Sequence, residues 1–185
     1  LRFKNLFKNS IKKKPLISII MPNFKGLSIE RAIKSVLKQN YDNLELIVID
    51  GNSGNDTLKI LNSYNRDIDI WISEKDKGMW DAWNKGFMLA NGDYVGIVDS
   101  SNVLYPNAIT ILVKYINKFP SHDFICGTVK KDNKIYAGFR PQDIKKQFNI
   151  IPSSIVGFFI KLDSLKKVGL LNIKYKYSSD YDFLY

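Results

Sequence analysis

The chain has 185 residues, a net charge of +10, and 45% hydrophobic residues. That length suits one domain with a substantial core, and that apolar content excludes wholesale disorder. No apolar run is long enough to span a bilayer, and no apolar h-region follows the basic start, so neither a transmembrane helix nor a signal peptide is read. The single cysteine, Cys126, makes neither an internal disulfide nor a Cys-based metal site, and the single histidine, His122, makes no triad.

Leu1–Lys14 is a basic lead-in with Arg2, Lys4, Lys8, Lys12, Lys13 and Lys14 and no acid. Phe3, Leu6, Phe7 and Ile11 fall at helical spacing within it, a pattern that suits peripheral contact with an anionic membrane or a solvated leader. Pro15 opens the domain, 15–185. Two continuous apolar runs, Ile17–Met21 and Leu44–Ile49, read as parallel strands covered on both faces. Between them Ile29–Gln39 has helical periodicity with Ser28 as N-cap. Asp56–Tyr64 is expected as a helix, Ile68–Ser73 as a short strand, and Met79–Leu89 as a helix ended at Asn91-Gly92. Tyr94–Val98 is a fourth strand, delivering Asp99-Ser100-Ser101-Asn102, and Asn107–Lys118 a helix. Then come a strand Asp123–Val129, a turn at Asn133-Lys134, a strand Ile135–Phe139, a short helix or lid at Pro141–Phe148, and a strand Ile155–Ile160. Helices are expected at Asp163–Val168 and from Ser179 to Tyr185. The pattern runs into the last residue, so the chain reads as a C-terminally truncated piece of a longer protein. The βαβαβαβα order implies an α/β, Rossmann-like, mostly parallel sheet with helices on both faces and a late antiparallel element.

In such sheets ligands bind outside the carboxyl ends of the strands, here Pro22–Lys25 and Asp50–Ser53. No glycine-rich dinucleotide fingerprint or P-loop is present, which argues against a dinucleotide oxidoreductase and a P-loop NTPase. A nucleotide still fits. Pro22, Asn23 and Phe24 offer backbone and a ring face, and Asp50 can accept hydrogen bonds from a base imide or a ribose. Glu74–Gly86 is denser. It places Asp76 and Lys77 on a loop, Gly78 at a tight approach, and Asp81, Asn84 and Lys85 on the first turns of a helix. Cations beside a helix N-terminus suit a diphosphate. Trp80 and Trp83 suit either core packing or stacking on a sugar.

Taken together, Ser18–Lys25, Ile47–Ser53, Ile72–Gly86, Asn91–Gly96, Asp99–Pro106 and Ser179–Phe183 resemble family-2 glycosyltransferases of the GT-A fold, in the family's order over nearly the whole chain from Leu16. The resemblance implies transfer of a sugar, a hexose or N-acetylhexosamine, from a nucleotide-sugar donor, commonly a UDP-sugar, with inversion. It implies that Pro22, Asn23 and Phe24 line the nucleotide pocket and that Asp50 contacts the base. Asp76, Lys77, Asp81, Ser100 and Ser101 join them in nucleotide-sugar binding. It implies that Asp180 is the general base, with Asp182 as the fallback. The acceptor is expected to be a glycan, a lipid-linked molecule or a protein, and the location cytoplasmic, with peripheral membrane contact.

The metal motif departs from the family. Where the family has several carboxylates for Mn²⁺ or Mg²⁺, this chain has Asp99 and Asn102, so cation affinity is expected to fall. Lys77 and Lys85 are the alternative neutralising groups. Asn55-Asp56 also departs, standing where the family more often has Thr-Asp-Gly-Thr without changing the length, and Ile151–Ile155 lacks a His often found there. The second reading is therefore a catalytically weakened nucleotide-sugar-binding domain. A nucleic-acid-binding module is disfavoured, since the basic residues are spread rather than striped.

Overall fold

The computed structural model of the chain describes residues 14–26, 28–136, 157–175 and 179. The expected lid at Pro141–Phe148 and most of the last helix, including Asp180 and Asp182, lie outside the described residues, as does Leu1–Lys13.

Among the described residues, eight strands and five helices follow in order: β1 (Ile17–Asn23), α1 (Ile29–Leu37), β2 (Leu44–Asp50), α2 (Asn55–Ser63), β3 (Ile70–Ser73), α3 (Met79–Leu89), β4 (Tyr94–Ile97), α4 (Ala108–Lys118), β5 (Phe124–Cys126), β6 (Val129–Lys131), β7 (Lys134–Tyr136), β8 (Phe158–Lys161) and α5 (Leu162–Val168). The main sheet runs β3-β2-β1-β4-β8-β5. Strands β1 to β4 are mutually parallel, and β8 runs antiparallel to both β4 and β5. The late antiparallel element is thus β8, inserted between two strands that run the other way. The expected hairpin between Asp123–Val129 and Ile135–Phe139 resolves differently. Its first half splits, so that β5 pairs with β8 while β6 pairs with β7 around a turn at Asp132-Asn133. Both turn residues adopt positive φ, the backbone such a tight turn requires.

Every residue of β1 is buried, because helices cover both faces. Ile17, Ile19 and Met21 pack against Ile29, Ala32, Ile33 and Val36 of α1, with Leu61 of α2 and Ile109, Leu112 and Ile116 of α4 in the same cluster. Ile20 faces the other way and joins Ile47 and Ile49 against Trp80, Trp83 and Phe87 of α3 and Leu162 and Leu165 of α5. Each fully buried aliphatic side chain contributes about 1.5–3 kcal/mol, so the two layers fix the register of the strands that carry the site. Helix α3 approaches β1 closely at Gly86, where a Cβ would sit 2.3 Å from Ile20 Cγ2. At the amino end of the sheet, buried Glu45 accepts hydrogen bonds from Ser18 Oγ and from the Asn91 amide and backbone N–H. Those bonds hold β1, β2 and the lead into β4 in line.

Strands β1 and β2 run further than their apolar stretches. Pro22, Asn23 and Asp50 still lie in the ladder, since parallel pairing of Pro22 with Ile49 and of Asn23 with Asp50 uses backbone groups alone. Ser28 stands before α1 without capping it; its hydroxyl donates to Ser100 O instead.

Candidate active site

Strand β1 sits between β2 and β4; the chain steps outward from β1 to β2 and β3 and then crosses back to β4 on the other side of β1, so the carboxyl ends of β1 and β4 form a topological switch point. A cleft of roughly 470 Å³ opens there, lined by Pro22, Asn23 and Phe24 after β1, Gly51 after β2, Lys75, Asp76, Gly78, Met79 and Ala82 around the start of α3, and Asp99 and Ser100 after β4. The backbone beneath is pinned beyond the strand ends. Gly51 N donates to Asn23 O, Glu74 N to Asp50 O, and Ser100 N to Pro22 O.

Of the expected nucleotide-sugar residues, Pro22, Asn23, Phe24, Asp76 and Ser100 line the cleft, and so does Asp99. Asp50, Lys77, Asp81, Ser101 and Asn102 do not. Lys75, Met79 and Ala82 were not legible as site residues, because nothing in their types marks a wall of a cavity.

Asp50 is 0% exposed and fully engaged. Its Oδ1 accepts from Asn23 Nδ2 (2.7 Å) and Ser53 Oγ (2.5 Å), and its Oδ2 from Ser53 N (3.0 Å) and Ser73 Oγ (2.6 Å). Burial pushes its carboxyl upward, but the serine and Asn23 hydrogen bonds outweigh it and hold the group below the usual carboxylate range. Asp50 is the knot that ties β1, β2 and β3 together under the cleft. Ser53 Oγ also accepts from Lys25 N and so fixes the turn that carries Phe24, whose ring is 63% exposed at the mouth. The same knot orients Asn23. Its amide nitrogen faces two acceptors, which leaves Asn23 Oδ1 buried with no partner.

Asp76 is disposed differently. Its Oδ1 accepts from Gly78 N at 2.9 Å. Its Oδ2 lies over Gly51, where a Cβ would come within 2.5 Å of it and within 3.1 Å of the Phe24 ring. The bare backbone of Gly51 therefore leaves room beside it for both a carboxylate oxygen and an aromatic ring in the cleft wall.

The Asp99 carboxylate has no hydrogen-bonded or ionic partner among the described residues, and burial pushes it up to about 6. A carboxylate kept largely from water without a partner is an oxygen donor waiting for a cation or a proton. No group of three His, Cys, Asp or Glu suited to a metal exists among the described residues. The Asn102 amide donates to Ser101 Oγ at 3.4 Å. The donor set thus fits a hard cation only if the substrate's own phosphates complete the shell, the manner in which Mg²⁺ is commonly held.

Three expectations change at α3. Lys85 is paired with Glu74 (2.7 Å) and Asp81 (3.5 Å), so its charge is already met and is not free for a diphosphate. Asp81 also accepts from Lys77 N, a bond that shapes the loop above the cleft. Asn84 points into the core, where its amide donates to Leu171 O (2.8 Å) and accepts from Leu171 N (2.9 Å). The adjacent Asn172 O accepts from Ser179 Oγ (2.9 Å). Helix α3 is thereby strapped to the residue that precedes Asp180. Trp80 and Trp83 pack edge to face in the core with ring centroids 5.1 Å apart, and their indole N–H groups have no partner among the described residues.

The family model for glycosyl transferase family 2 matches residues 18–173. The chain belongs to that family. An uncharacterized glycosyltransferase of Rickettsia prowazekii is 32% identical over 182 residues, covering 91% of this chain and 57% of the relative. A GalNAc(5)-diNAcBac-PP-undecaprenol beta-1,3-glucosyltransferase of Campylobacter jejuni is 28% identical over 141 residues, covering 74% of this chain and 46% of the relative. The chain therefore spans about half the length of these relatives. Among solved structures, S. aureus TarS 1-349 superposes with a TM-score of 0.73 at 21% identity, covering 90% of this chain and 53% of that one. It has also been solved with UDP-GlcNAc, a structure that superposes with a TM-score of 0.65 at 20% identity, covering 82% of this chain and 46% of that one. The mannosyltransferase PcManGT of Pyrobaculum calidifontis, with GDP-Man and Mn²⁺, superposes with a TM-score of 0.64 at 20% identity, covering 87% of this chain and 48% of that one. The chain is a family-2 glycosyltransferase domain with the GT-A fold.

Proposed function

We propose that this domain binds a UDP-sugar in the switch-point cleft and transfers its sugar, with inversion, to an acceptor hydroxyl. The observation that carries the reading is that Asp76 Oδ2 and the Phe24 ring both border the bare backbone of Gly51 in the cleft wall. A ring face and one available carboxylate oxygen suit a base that stacks and offers a single imide N–H. Uracil is such a base; guanine, with two adjacent donors on that edge, asks for both oxygens, and Asp76 Oδ1 is already held by Gly78 N. Asp50, with every acceptor position used, organises the pocket and does not read the base. The UDP-GlcNAc complex of TarS supports a uridine nucleotide, and the name of the Campylobacter relative supports a lipid-linked acceptor.

The diphosphate then lies toward Asp99 and Ser100, with Lys75 and Lys77 at the rim. A divalent cation there would be held by Asp99 and the phosphates, and would supply charge stabilisation for the leaving diphosphate. Asp180 is the proposed base. It takes the acceptor's proton while that oxygen bonds to the anomeric carbon on the face opposite the departing UDP. The Asn84–Leu171 strap keeps the chain leading to it in place.

The test is a melting-temperature screen of UDP, GDP, CDP and ADP, followed by turnover on UDP-sugars. UDP should give the largest upward shift. Asp76→Asn should lose it while the unliganded melting temperature stays put. Asp180→Asn should bind UDP as the parent does and lose turnover by about 10²–10⁴. A screen in which no nucleotide raises the melting temperature refutes the donor site.

A further inference from the structure

Helix α4 packs on the sheet through Ile109, Leu112 and Ile116. Its outer face is apolar as well. Ile111 (53% exposed), Tyr115 (47%) and Phe119 (38%) recur at i, i+4 and i+8 and form a ridge. Tyr115 and Phe119 stack at 6.3 Å, and His122 closes edge-on to Phe119. Lys114 and Lys118 run alongside, with Lys118 Nζ 5.2 Å above the Phe119 ring. At the other end the ridge continues through Tyr105, 59% exposed, and Val103 toward the loop that leaves the cleft at Asp99.

Charge sets this face apart. From Val103 to His122 the sequence holds no acidic residue. Between the Val103–Pro106 loop and α1 lies a groove of roughly 520 Å³ lined by Arg31, Lys34 and Lys38, with Glu30 as its one acid. Lys34 is paired with Glu30, and Arg31 donates to Ser101 O. Lys38 and Lys114 have no acidic partner among the described residues. A second copy of the chain would fit poorly here. A two-fold contact on this ridge would set Lys114 and Lys118 against their own copies. A bilayer interface takes every component. Aromatic rings sit at headgroup depth, the isoleucine reaches the acyl boundary, and lysine stems lie along the surface with their ammonium groups on phosphates. Arg31 and Lys38 present a cationic groove to a lipid phosphate beside the ridge.

We propose that the α4 ridge and the α1 groove dock this domain on an anionic lipid surface, with the mouth of the cleft beside the membrane. The proposal uses no residue of the basic lead-in Leu1–Lys14 and is independent of the donor reading.

The full chain would be floated with phosphatidylcholine vesicles containing or lacking phosphatidylglycerol. Binding should require phosphatidylglycerol and weaken with salt. Lys114→Gln with Lys118→Gln should reduce partitioning about 25-fold, roughly fivefold per cation. Ile111→Ser with Phe119→Ser should reduce it by at least about tenfold. Both variants should keep the parent's melting temperature and its UDP response. The charge pair guards against misfolding in the apolar pair, since Lys114 and Lys118 are solvent-facing. Unchanged binding by both variants, or binding lost only when the lysines of Leu1–Lys14 are neutralised, would overturn the assignment. So would a parent dimer in sedimentation equilibrium that Ile111→Ser with Phe119→Ser dissociates.

Discussion

Replacing Asp99 by Asn should make the unliganded protein more stable at neutral pH. Burial raises the Asp99 carboxyl from 3.8 to about 6 with no hydrogen bond or cation to offset it. A raised acid titrates in a definite order. Below pH 3.8 the group is protonated in both folded and unfolded chains and contributes nothing. Between 3.8 and about 6 the unfolded chain loses its proton first, and stability falls as pH rises. Above about 6 the full cost is in place. A shift of about two units corresponds to roughly 3 kcal/mol. Solvent still reaches part of the side chain, and screening halves that to about 1.5 kcal/mol. At roughly 2–4 °C per kcal/mol for a chain of this size, Asp99→Asn should melt about 3–6 °C above the parent at pH 7.5 and level with it at pH 3.5. Scanning calorimetry across that range measures both. The same variant should lose any added stabilisation that Mn²⁺ brings in the presence of UDP. A variant that melts at or below the parent at pH 7.5 would refute the claim that this carboxylate is held at a cost for a ligand.

Three further substitutions test the geometry beneath the cleft. Gly51→Ala places a methyl 2.5 Å from Asp76 Oδ2, so calorimetric UDP affinity should fall about tenfold or more, some 1.4 kcal/mol, with little change in melting. Asp50→Ala leaves the donors of Asn23, Ser53 and Ser73 without their common acceptor and should cost about 3–5 kcal/mol in urea unfolding; Asp50→Asn, which keeps one acceptor oxygen, should cost less. Gly86→Ala drives a methyl to 2.3 Å from Ile20 Cγ2 and should destabilise by about 1–3 kcal/mol in the same assay, its better helix propensity notwithstanding.

The layers of the fold were legible because strands covered on both faces must be apolar throughout, as Ile17–Met21 and Leu44–Ile49 are. The position of the cleft followed from the strand order, and Pro22, Asn23, Phe24, Asp76, Asp99 and Ser100 fall on its wall. What local pattern could not give was the state of each polar group. Asp50 reads as a ligand contact until Ser73, 23 residues away, supplies its fourth donor. Asn84 and Lys85 both sit among charges at the start of a helix and look alike. Only the distant Leu171 backbone shows that Asn84 faces inward, and only the neighbouring Glu74 and Asp81 show that Lys85 is already paired. Gly51 carries no side chain for a pattern to register, yet its emptiness is what leaves room for Asp76 and Phe24 beside it.

Three carboxylates around one cleft thus divide their work by how many donors surround them. Asp50, fully hydrogen-bonded and held below its usual range, is rigid and spent. Asp76 keeps one oxygen available, which suits a single N–H. Asp99 keeps both, which suits a cation. On the proposed donor reading, a metal held by Asp99 alone would have too few protein ligands to bind before the donor does, and the phosphates would complete its shell. Metal and nucleotide are then coupled, and the coupling is reciprocal: each must raise the other's affinity by the same factor. Mn²⁺ titrated into the protein alone should give little heat, and titrated into the UDP complex a clear isotherm. Asn102→Asp restores a second carboxylate to the turn in which Asn102 N already donates to Asp99 O at 2.9 Å. That variant should bind Mn²⁺ without UDP and show a smaller coupling factor. Tight Mn²⁺ binding by the natural sequence in the absence of nucleotide, unchanged by Asn102→Asp, would mean that the cation is held somewhere other than beside Asp99.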